Sequence, residues 1–357
     1  MCTALYSYLC TSLSLFFSSF TSSFGNPKRG RELARAAELL TLSKPGAEEW
    51  KAKTTYLCEG LINHWTLPVR DSLGPLLDGY NTGLKHGNLQ DASLNQCFYV
   101  AHAYFAGMPL KEDVLNETSP LQTFNDIETF AGDSKGDSRL DTHLANRIHS
   151  LVSANLRGDT LEGMNFDGIL KYCTDTGNRA LRGYVFVAQC ELKVFFGAWL
   201  EAAELLTEAG ELLPEMVGLY QGVRYIFVCT LVYIKTAQSS TGLAKRKKFK
   251  RKALKKMKVI RGFVKKGHVS CVHNLHLLDA ELAILDGNIK QIEDSYKLAI
   301  DVASKGGFLH DRALSHELAS IYYDRRKEHQ QSRHHMDNAI KSYTEWGATA
   351  KVEKLTH

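Results

Sequence analysis

A 40-residue repeat near the C-terminus constrains the fold of this chain more than any other sequence feature. Between Leu277 and Lys354, five positions recur 40 residues later with the same internal spacings of 3, 9, 4 and 3 residues. Small residues stand where two antiparallel helices can approach closely, and large residues fill the groove beside them. The repeat therefore predicts two successive helical hairpins. The two sets are Ala280, Ala283, Ile292, Tyr296 and Ala299, followed by Ser320, Tyr323, Ser332, Met336 and Ala339.

The same helical rhythm extends toward the N-terminus. Apolar residues recur at helical spacing, and Gly, Asn or Pro interrupts them every 15 to 20 residues. The chain has 7 prolines and lacks long alternating runs of β-branched residues, which favours helices. We therefore predict an all-α, right-handed α-solenoid of tetratricopeptide-like helical hairpins. Expected helices outside the repeat include Pro27 to Leu42, Ala52 to Trp65, Val69 to Leu84, Ala92 to Phe105 and Tyr220 to Thr236.

Composition divides the chain into three regions. N-terminal helical repeats are expected over 1–110, and C-terminal helical repeats over 166–355, with a basic helix at 244–266. The intervening region, 111–165, is less regular. Its acidic, Gly- and Ser-containing stretch at 131–141 predicts a disordered surface insertion, with a packed loop as the alternative.

Cysteine usage and the first residues bear on location. The eight cysteines are scattered and form no CxxC pair, which favours a reducing compartment and disfavours disulfides. Residues 1–24 are rich in Leu, Phe and Ser, but no basic residue precedes the apolar run. A repeat helix is therefore favoured there over a targeting or anchor segment. We predict a cytoplasmic protein.

Positive charge is concentrated in one stretch. The formal net charge is +5, yet 13 Lys or Arg and no acidic residue lie between Lys245 and Lys266; without these cations it would be −8. Apolar residues recur in this stretch at spacings of 4, 4, 3 and 4 residues. The spacing predicts an amphipathic helix whose remaining surface is cationic. The apolar positions are Phe249, Ala253, Met257, Ile260 and Val264.

The basic helix has two interpretations. It can bind an anionic partner, such as an acidic protein surface, a calmodulin-like protein or an anionic membrane. Alternatively, its apolar stripe packs on neighbouring helices and its basic face is simply solvated. Nucleic acid is disfavoured, because the only aromatic residues among the cations are Phe249 and Phe263. The candidate patch for an anionic partner consists of Lys245, Arg246, Lys247, Lys248, Lys250, Arg251, Lys252, Lys255 and Lys256.

The sequence contains no catalytic or cofactor-binding motif. It lacks the P-loop string GxxxxGK[ST], a GxGxxG fingerprint and the kinase HRD and DFG motifs. Ser315-His316-Glu317-Leu318 is similar to the phospho-accepting box of histidine kinases, but the Arg and Pro that continue that box are missing, and the 39 residues after it are too few for a nucleotide-binding domain. We expect Leu318 and Ile321 to pack inward and His316 to face solvent.

No metal site is predicted, although histidines occur in two groups. There is no HExxH motif, and two adjacent histidines on a helix point about 100° apart. We expect these histidines to lie solvated on helix surfaces. The groups are His268, His273 and His276, and His329, His334 and His335.

Three runs near the end of the chain carry a family resemblance: Tyr296–Ile300, Gly307–Tyr323 and Ala339–Leu355. Within the last run, Tyr343, Trp346-Gly347-Ala348 and Ala350-Lys351-Val352 are the most specific part. The segment resembles the end of the helical-repeat region in large multidomain signalling proteins. Those proteins join a serine/threonine-kinase-like domain and a P-loop ATPase to tetratricopeptide-like repeats, followed by a GAF domain and a sensor histidine kinase.

The resemblance implies that this chain is the helical middle of such a protein, alone or as a truncated gene product, without its catalytic domains. Weaker similarity covers Leu57 to Leu77, Phe98 to Leu110 and Phe195 to Leu213. The expected function is therefore a non-catalytic protein–protein interaction scaffold or regulatory module of a signalling ATPase/histidine-kinase-type protein. It needs no cofactor, and its protein partner is not named by the sequence.

The first helices of solenoid hairpins line the concave face, where ligands bind. Two other functions remain as alternatives. One is a degenerate phosphorelay protein that uses His316, and the other is a membrane-associated adaptor held by the basic helix or by residues 1–24. The candidate partner-binding residues on the concave face are Asn274, His276, His310, Arg312, Tyr323 and Arg326.

Overall fold

The protein is helical throughout the part of the chain that its computed structural model describes, residues 25–43, 48–110, 138–216 and 218–357. Fifteen α-helices and four short 3-10 turns occupy these ranges, which contain no β-strand. In chain order the helices are α1 Pro27–Ser43, α2 Glu48–Leu61, α3 Leu73–Lys85, α4 Leu89–Phe105, α5 Ser138–Arg157, α6 Phe166–Thr176, α7 Arg179–Phe195, α8 Trp199–Ala209, α9 Tyr220–Ser239, α10 Leu243–Lys265, α11 Val272–Asp286, α12 Ile289–Gly306, α13 Leu309–Arg325, α14 His329–Trp346 and α15 Thr349–Thr356.

Most helices pack as sequential pairs. Helix α3 packs on α4, α7 on α8, α9 on α10, α11 on α12 and α13 on α14. Neighbouring pairs also contact one another, because α9 packs on α11 and α12 packs on α13. Short connections between long helices favour this antiparallel pairing. No helix among the described residues is both long and apolar enough to cross a membrane.

The 40-residue spacing of the sequence reappears in the backbone. Helices α12 and α14 each have 18 residues and begin 40 positions apart. Gly267, Gly307 and Gly347, also 40 positions apart, all have positive φ, and so do Gly287 and Lys327 at the turns inside the last two pairs. A helix commonly ends where one residue adopts this left-handed conformation. The repeat therefore sets where the last two pairs turn.

The expected helices near both ends of the chain are confirmed, but the expected irregular region is partly wrong. Helix α5 has 20 residues inside 111–165. Its buried Leu144, Ile148, Leu151 and Val152 recur at helical spacing, so the helical signal was present in the sequence. The expectations for residues 1–24 and for 131–137 lie outside the described residues.

Two segments of the N-terminal half form a brace along one edge of the C-terminal helices. We define this N-terminal brace as residues 62–72 and 104–110. It bonds in turn to the connections that precede α9, α11 and α13 and to the last residue of α14, and so links successive helix pairs. The contacts are His64 Nε2 with Gly218 O at 3.0 Å, Val69 N with Ser270 Oγ at 2.9 Å, Arg70 Nη2 with Gly307 O at 2.8 Å, and Leu110 N with Trp346 O at 2.7 Å.

One hydrophobic core runs through most of the molecule. It extends from Trp65 to Ala348 and includes residues of α4, α5, α7 and every later pair. The core thus continues across both boundaries expected at 110 and 165. A separate small cluster, Ala34, Cys58 and Ile62, joins α1 and α2. The six cysteines among the described residues are free thiols.

Gly107 provides a test of the brace. Its φ is +70°, and a Cβ added there would lie 2.6 Å from Leu309 N and 2.7 Å from His310 Nδ1. We expect Gly107→Ala to lower the free energy of unfolding by about 3 kcal/mol, from backbone strain plus overpacking. Gly87, with φ +72° and open space around it, is the matched control. Gly87→Ala should cost about 1 kcal/mol. Equal losses in urea titrations would mean that the brace contributes little to stability.

Candidate interaction surfaces

The most concentrated group of charged side chains lies in the core. Arg224 of α9 donates to Glu191 of α7 at 2.5 Å and to the two carboxylate oxygens of Asp311 of α13 at 2.8 and 2.9 Å. His273 and Asn274 of α11 bond the same Asp311 carboxylate at 2.7 and 3.0 Å. We call these five residues the core charge cluster. It connects α7, α9, α11 and α13, the first helices of four successive pairs.

Electrostatics favour the charged forms of Asp311 and Arg224, whereas burial raises the pKa of Glu191. Burial by itself would raise the pKa of Asp311, but the charge of Arg224, with His310 and His273, holds that pKa well below its usual range. Burial opposes the charge on Arg224, yet Asp311 and Glu191 raise its pKa above the usual value. All five side chains are almost fully buried. Because a substrate could not reach these enclosed groups, the cluster acts by holding helices in register.

The expectation of solvated histidines is wrong for several positions. His268 and His273 are buried, and His276 is half-buried. His316, expected in solvent, is 8% exposed, and its Nδ1 lies 3.0 Å from Nδ1 of His335. Burial lowers the pKa of His316 to about 3. The described residues contain no group of three or more His, Cys, Asp or Glu that could hold a metal ion.

Two of the six candidate concave-face residues are inaccessible. Asn274 belongs to the core charge cluster, and His310 is fully buried beside Trp346. Both predictions are therefore corrected. Periodicity alone could not show this, because the ring of Tyr104 in α4, about 200 positions away, packs on His310, and Asn274 bonds Asp311 of α13.

The other four candidates are at least partly exposed. Arg312 is half-buried and donates to Ser342 Oγ at 2.9 Å. Tyr323 stacks on His335 with ring centroids 5.3 Å apart. Arg326 is exposed, and His276 is half-buried. These residues contact different neighbours, so the six candidates do not form one open surface.

The apolar stripe of the basic helix packs as its spacing predicts. Ala253, Met257 and Ile260 of α10 are fully buried, and Phe249 and Val264 are half-buried. The stripe faces α9, the most completely buried long helix. Because this stripe packs against α9, the cationic side of α10 faces away from α9.

Some cations of the candidate patch already have partners within the chain. Lys256 is 9% exposed and pairs with Glu211 at 2.8 Å, so its assignment to an open patch was wrong. Lys250 pairs with Asp286, and Arg246 Nη2 donates to the Leu285 carbonyl at 3.2 Å. Lys252 Nζ lies 5.2 Å from the centre of the Tyr233 ring. These contacts tie α10 to α9 and α11.

The remaining cations form a continuous exposed row, which we call the α10 cationic face. The sequence positions of its six members place them within about 100° of one another around the helix axis, and the row extends about 27 Å along α10. No acidic side chain among the described residues lies within 4.0 Å of any of them. Lys245 is exposed in the first turn of the same helix. The row consists of Lys247, Lys248, Arg251, Lys255, Lys258 and Lys265.

These cations do not stabilise the fold. Like charges four residues apart repel by about 0.2–0.5 kcal/mol per pair. Cations near a helix N-terminus also oppose the helix dipole, and the first turn of α10 contains no acidic residue. The predicted patch ends at Lys256 and so lacks Lys258 and Lys265, which lie at the same helical spacing.

A groove of about 740 Å³ lies between α7 and α8. Glu201, Glu204 and Glu208 of α8 line one side, and Leu192 and Leu205 contribute apolar surface. We call this the acidic groove. At one end Lys354 Nζ donates to the carbonyl of Phe196 at 2.6 Å. The buried Ala202, Leu206 and Ala209 lie on another side of α8. The predicted sites do not include the acidic row, although its spacing of three and four residues is visible in the sequence.

Comparisons with protein-family models, with curated proteins and with solved structures find no match to this chain. The interpretation of function therefore depends on the surfaces described above. Two of them, the α10 cationic face and the acidic groove, present charge that the described residues do not neutralise.

Proposed function

We propose that this chain is a cytoplasmic, non-catalytic scaffold of the tetratricopeptide-like α-solenoid type, and that it binds an acidic protein segment through the α10 cationic face. The observation that carries the proposal is that row of six exposed cations without an acidic neighbour within 4.0 Å among the described residues. Complementary charge gives specificity and fast association with an acidic surface. The sequence resemblance supports a place in ATPase/histidine-kinase-type signalling proteins.

Two alternatives receive less support from the geometry. A phosphorelay through His316 needs an accessible imidazole, whereas His316 is 8% exposed and contacts His335. A membrane adaptor would insert the apolar stripe of α10 into lipid, whereas Ala253, Met257 and Ile260 are fully buried against the protein. An acidic protein segment needs only the exposed row.

Charge reversal on the row tests the proposal. We expect the triple variant Lys247→Glu, Arg251→Glu, Lys255→Glu to bind a fluorescein-labelled, helical Glu-rich peptide at least tenfold more weakly, measured by anisotropy at about 50 mM salt. Its thermal stability should be unchanged or slightly higher, because like-charge repulsion within α10 is removed.

The matched control is Lys290→Glu, Lys297→Glu, Lys341→Glu, which makes the same change of net charge at exposed positions of α12 and α14. If both variants lost peptide binding equally, the loss would depend only on the net charge of the protein, and the proposal would be wrong. Vesicles with and without phosphatidylserine form a second arm. Pelleting that requires the α10 row, with no binding of the peptide, would replace the acidic protein with a membrane.

A further inference from the structure

The acidic groove between α7 and α8 differs from an ordinary solvated helix face. Glu201, Glu204 and Glu208 lie three and four residues apart, so they share one side of α8. Glu201 pairs with Lys193. Glu204 and Glu208 are exposed, and no cationic side chain in the described ranges lies within 4.0 Å of either. Lys193 and Lys354 also line the groove, but Lys193 pairs with Glu201 and Lys354 Nζ donates to the Phe196 carbonyl. Glu204 and Glu208 therefore face the groove without a cation paired to either of them among the described residues.

The position of these carboxylates is unfavourable for α8 itself. Glu204 and Glu208 are four residues apart and repel each other. Glu208 stands next to Ala209, the last residue of α8, where the helix dipole already presents negative charge. A cation bound in the groove would relieve both effects.

Apolar surface adjoins the two carboxylates. Leu205 lies between them in sequence and is half-buried in the groove wall, and Leu192 and Phe196 of α7 and Phe166 of α6 line the remainder. Leu200, one turn before Glu204, is 61% exposed. A ligand that matches this surface must combine positive charge with apolar groups at neighbouring positions.

We propose that the acidic groove binds a Lys/Arg-rich amphipathic helix of a partner protein. An amphipathic helix presents cations and apolar side chains three and four residues apart, which is the spacing of the acidic and apolar groups on α8. The site is distinct from the α10 cationic face and takes a ligand of opposite charge. It extends the proposed scaffold to a second, basic partner and does not depend on the first.

The test uses the full chain and a labelled synthetic peptide of about 18 residues with Lys and Leu at helical spacing. We expect Glu204→Gln/Glu208→Gln to weaken binding about tenfold in anisotropy titrations. The control Glu293→Gln/Asp301→Asn removes two exposed carboxylates of α12 and should leave the affinity within about twofold. Leu205→Ser should also weaken binding, because the apolar part of the ligand loses its contact.

Polylysine of equal length separates the groove from unspecific attraction. It should bind more weakly than the amphipathic peptide and respond little to Leu205→Ser. Equal affinity for both peptides, or equal losses in the groove and control variants, would overturn the proposal. If sedimentation showed self-association that Glu204→Gln/Glu208→Gln abolishes, the occupant would be a second copy of this chain, and the proposed partner would be wrong.

Discussion

Replacing Arg224 with methionine is expected to lower the free energy of unfolding by about 3–5 kcal/mol. The substitution leaves Glu191 and Asp311 as two buried carboxylates without their counter-charge, with side chains 3% and 2% exposed. Urea unfolding followed by circular dichroism measures the loss. Arg179→Met is the matched control, because the Arg179 side chain is 79% exposed where it pairs with Glu215. The control should cost at most about 1 kcal/mol.

A neutral version of the core charge cluster shows whether Arg224→Met destabilises the protein by leaving buried charges unpaired or by removing packing contacts. The triple variant Glu191→Gln, Arg224→Met, Asp311→Asn contains no buried charge in need of a partner. We expect it to be more stable than Arg224→Met alone, since removing all members of a buried ionic group also removes their desolvation cost. If Arg224→Met does not fold, recovery of a folded triple variant still tests the idea. A triple variant no better than the single one would show that packing dominates.

Acidification from pH 7 to pH 5 is expected to destabilise the protein strongly. Burial lowers the pKa of His64 and His335 to about 4, and that of His149, His268 and His310 to about 3. Below about pH 6.5 these histidines therefore bind protons in the unfolded chain, whereas they stay unprotonated in the native state. Stability that is present above the unfolded pKa is lost as the pH falls through this window toward the native pKa values.

Buried carboxyls act in the opposite direction but are fewer. Burial raises the pKa of Glu59 to about 7, so the native state binds a proton there before the unfolded chain does. From these five histidines and this one carboxyl we expect a net uptake of about three to four protons on unfolding, which lowers the free energy of unfolding by about 5 kcal/mol between pH 6 and pH 5. Urea titrations at pH 7, 6 and 5 measure this slope. A stability that does not change over this range would contradict the prediction.

His268→Phe isolates one contribution to the acid effect. Neither ring nitrogen of His268 has a hydrogen-bond partner among the described residues, and the rings of Trp65, Tyr220 and Phe263 surround it. A phenylalanine fits this environment and cannot be protonated. We expect the variant to keep its stability at pH 7 and to take up about one proton fewer on unfolding between pH 6 and pH 5.

The helical part of the fold was predictable because its signals are local. Periodic apolar residues and left-handed turn residues act within a few positions of the chain, and both recur with the 40-residue spacing seen in α12 and α14. The apolar stripe of α10 was predictable for the same reason, since Ala253, Met257 and Ile260 share one face. Helix α5 shows the same periodicity, but it begins inside the acidic, Gly- and Ser-containing stretch that led to the prediction of an irregular region.

The accessible part of each site was not predictable from helical phase. Helical spacing places His310 and Asn274 on one side of the helix pairs, but Tyr104 of α4 packs on His310, and Asn274 is buried where it bonds Asp311. Similarly, Lys256 has the sequence context of an exposed cation, yet Glu211, 45 positions away, holds it at 9% exposure. The exposure of a side chain depends on which distant part of the chain packs against it, and the spacing of residues within one helix does not predict that contact.

The sequence by itself determined that this chain forms paired helices, where the last pairs turn, and that one of the helices is cationic and amphipathic. These properties follow from side chains within one or two helical turns of each other. Only the tertiary structure decided that Arg224 pairs with Asp311, 87 positions later, and that Arg70 reaches Gly307 across 237 positions. It also decided which cations of α10 and which acids of α8 remain open to a partner, because burial is a property of the packed core.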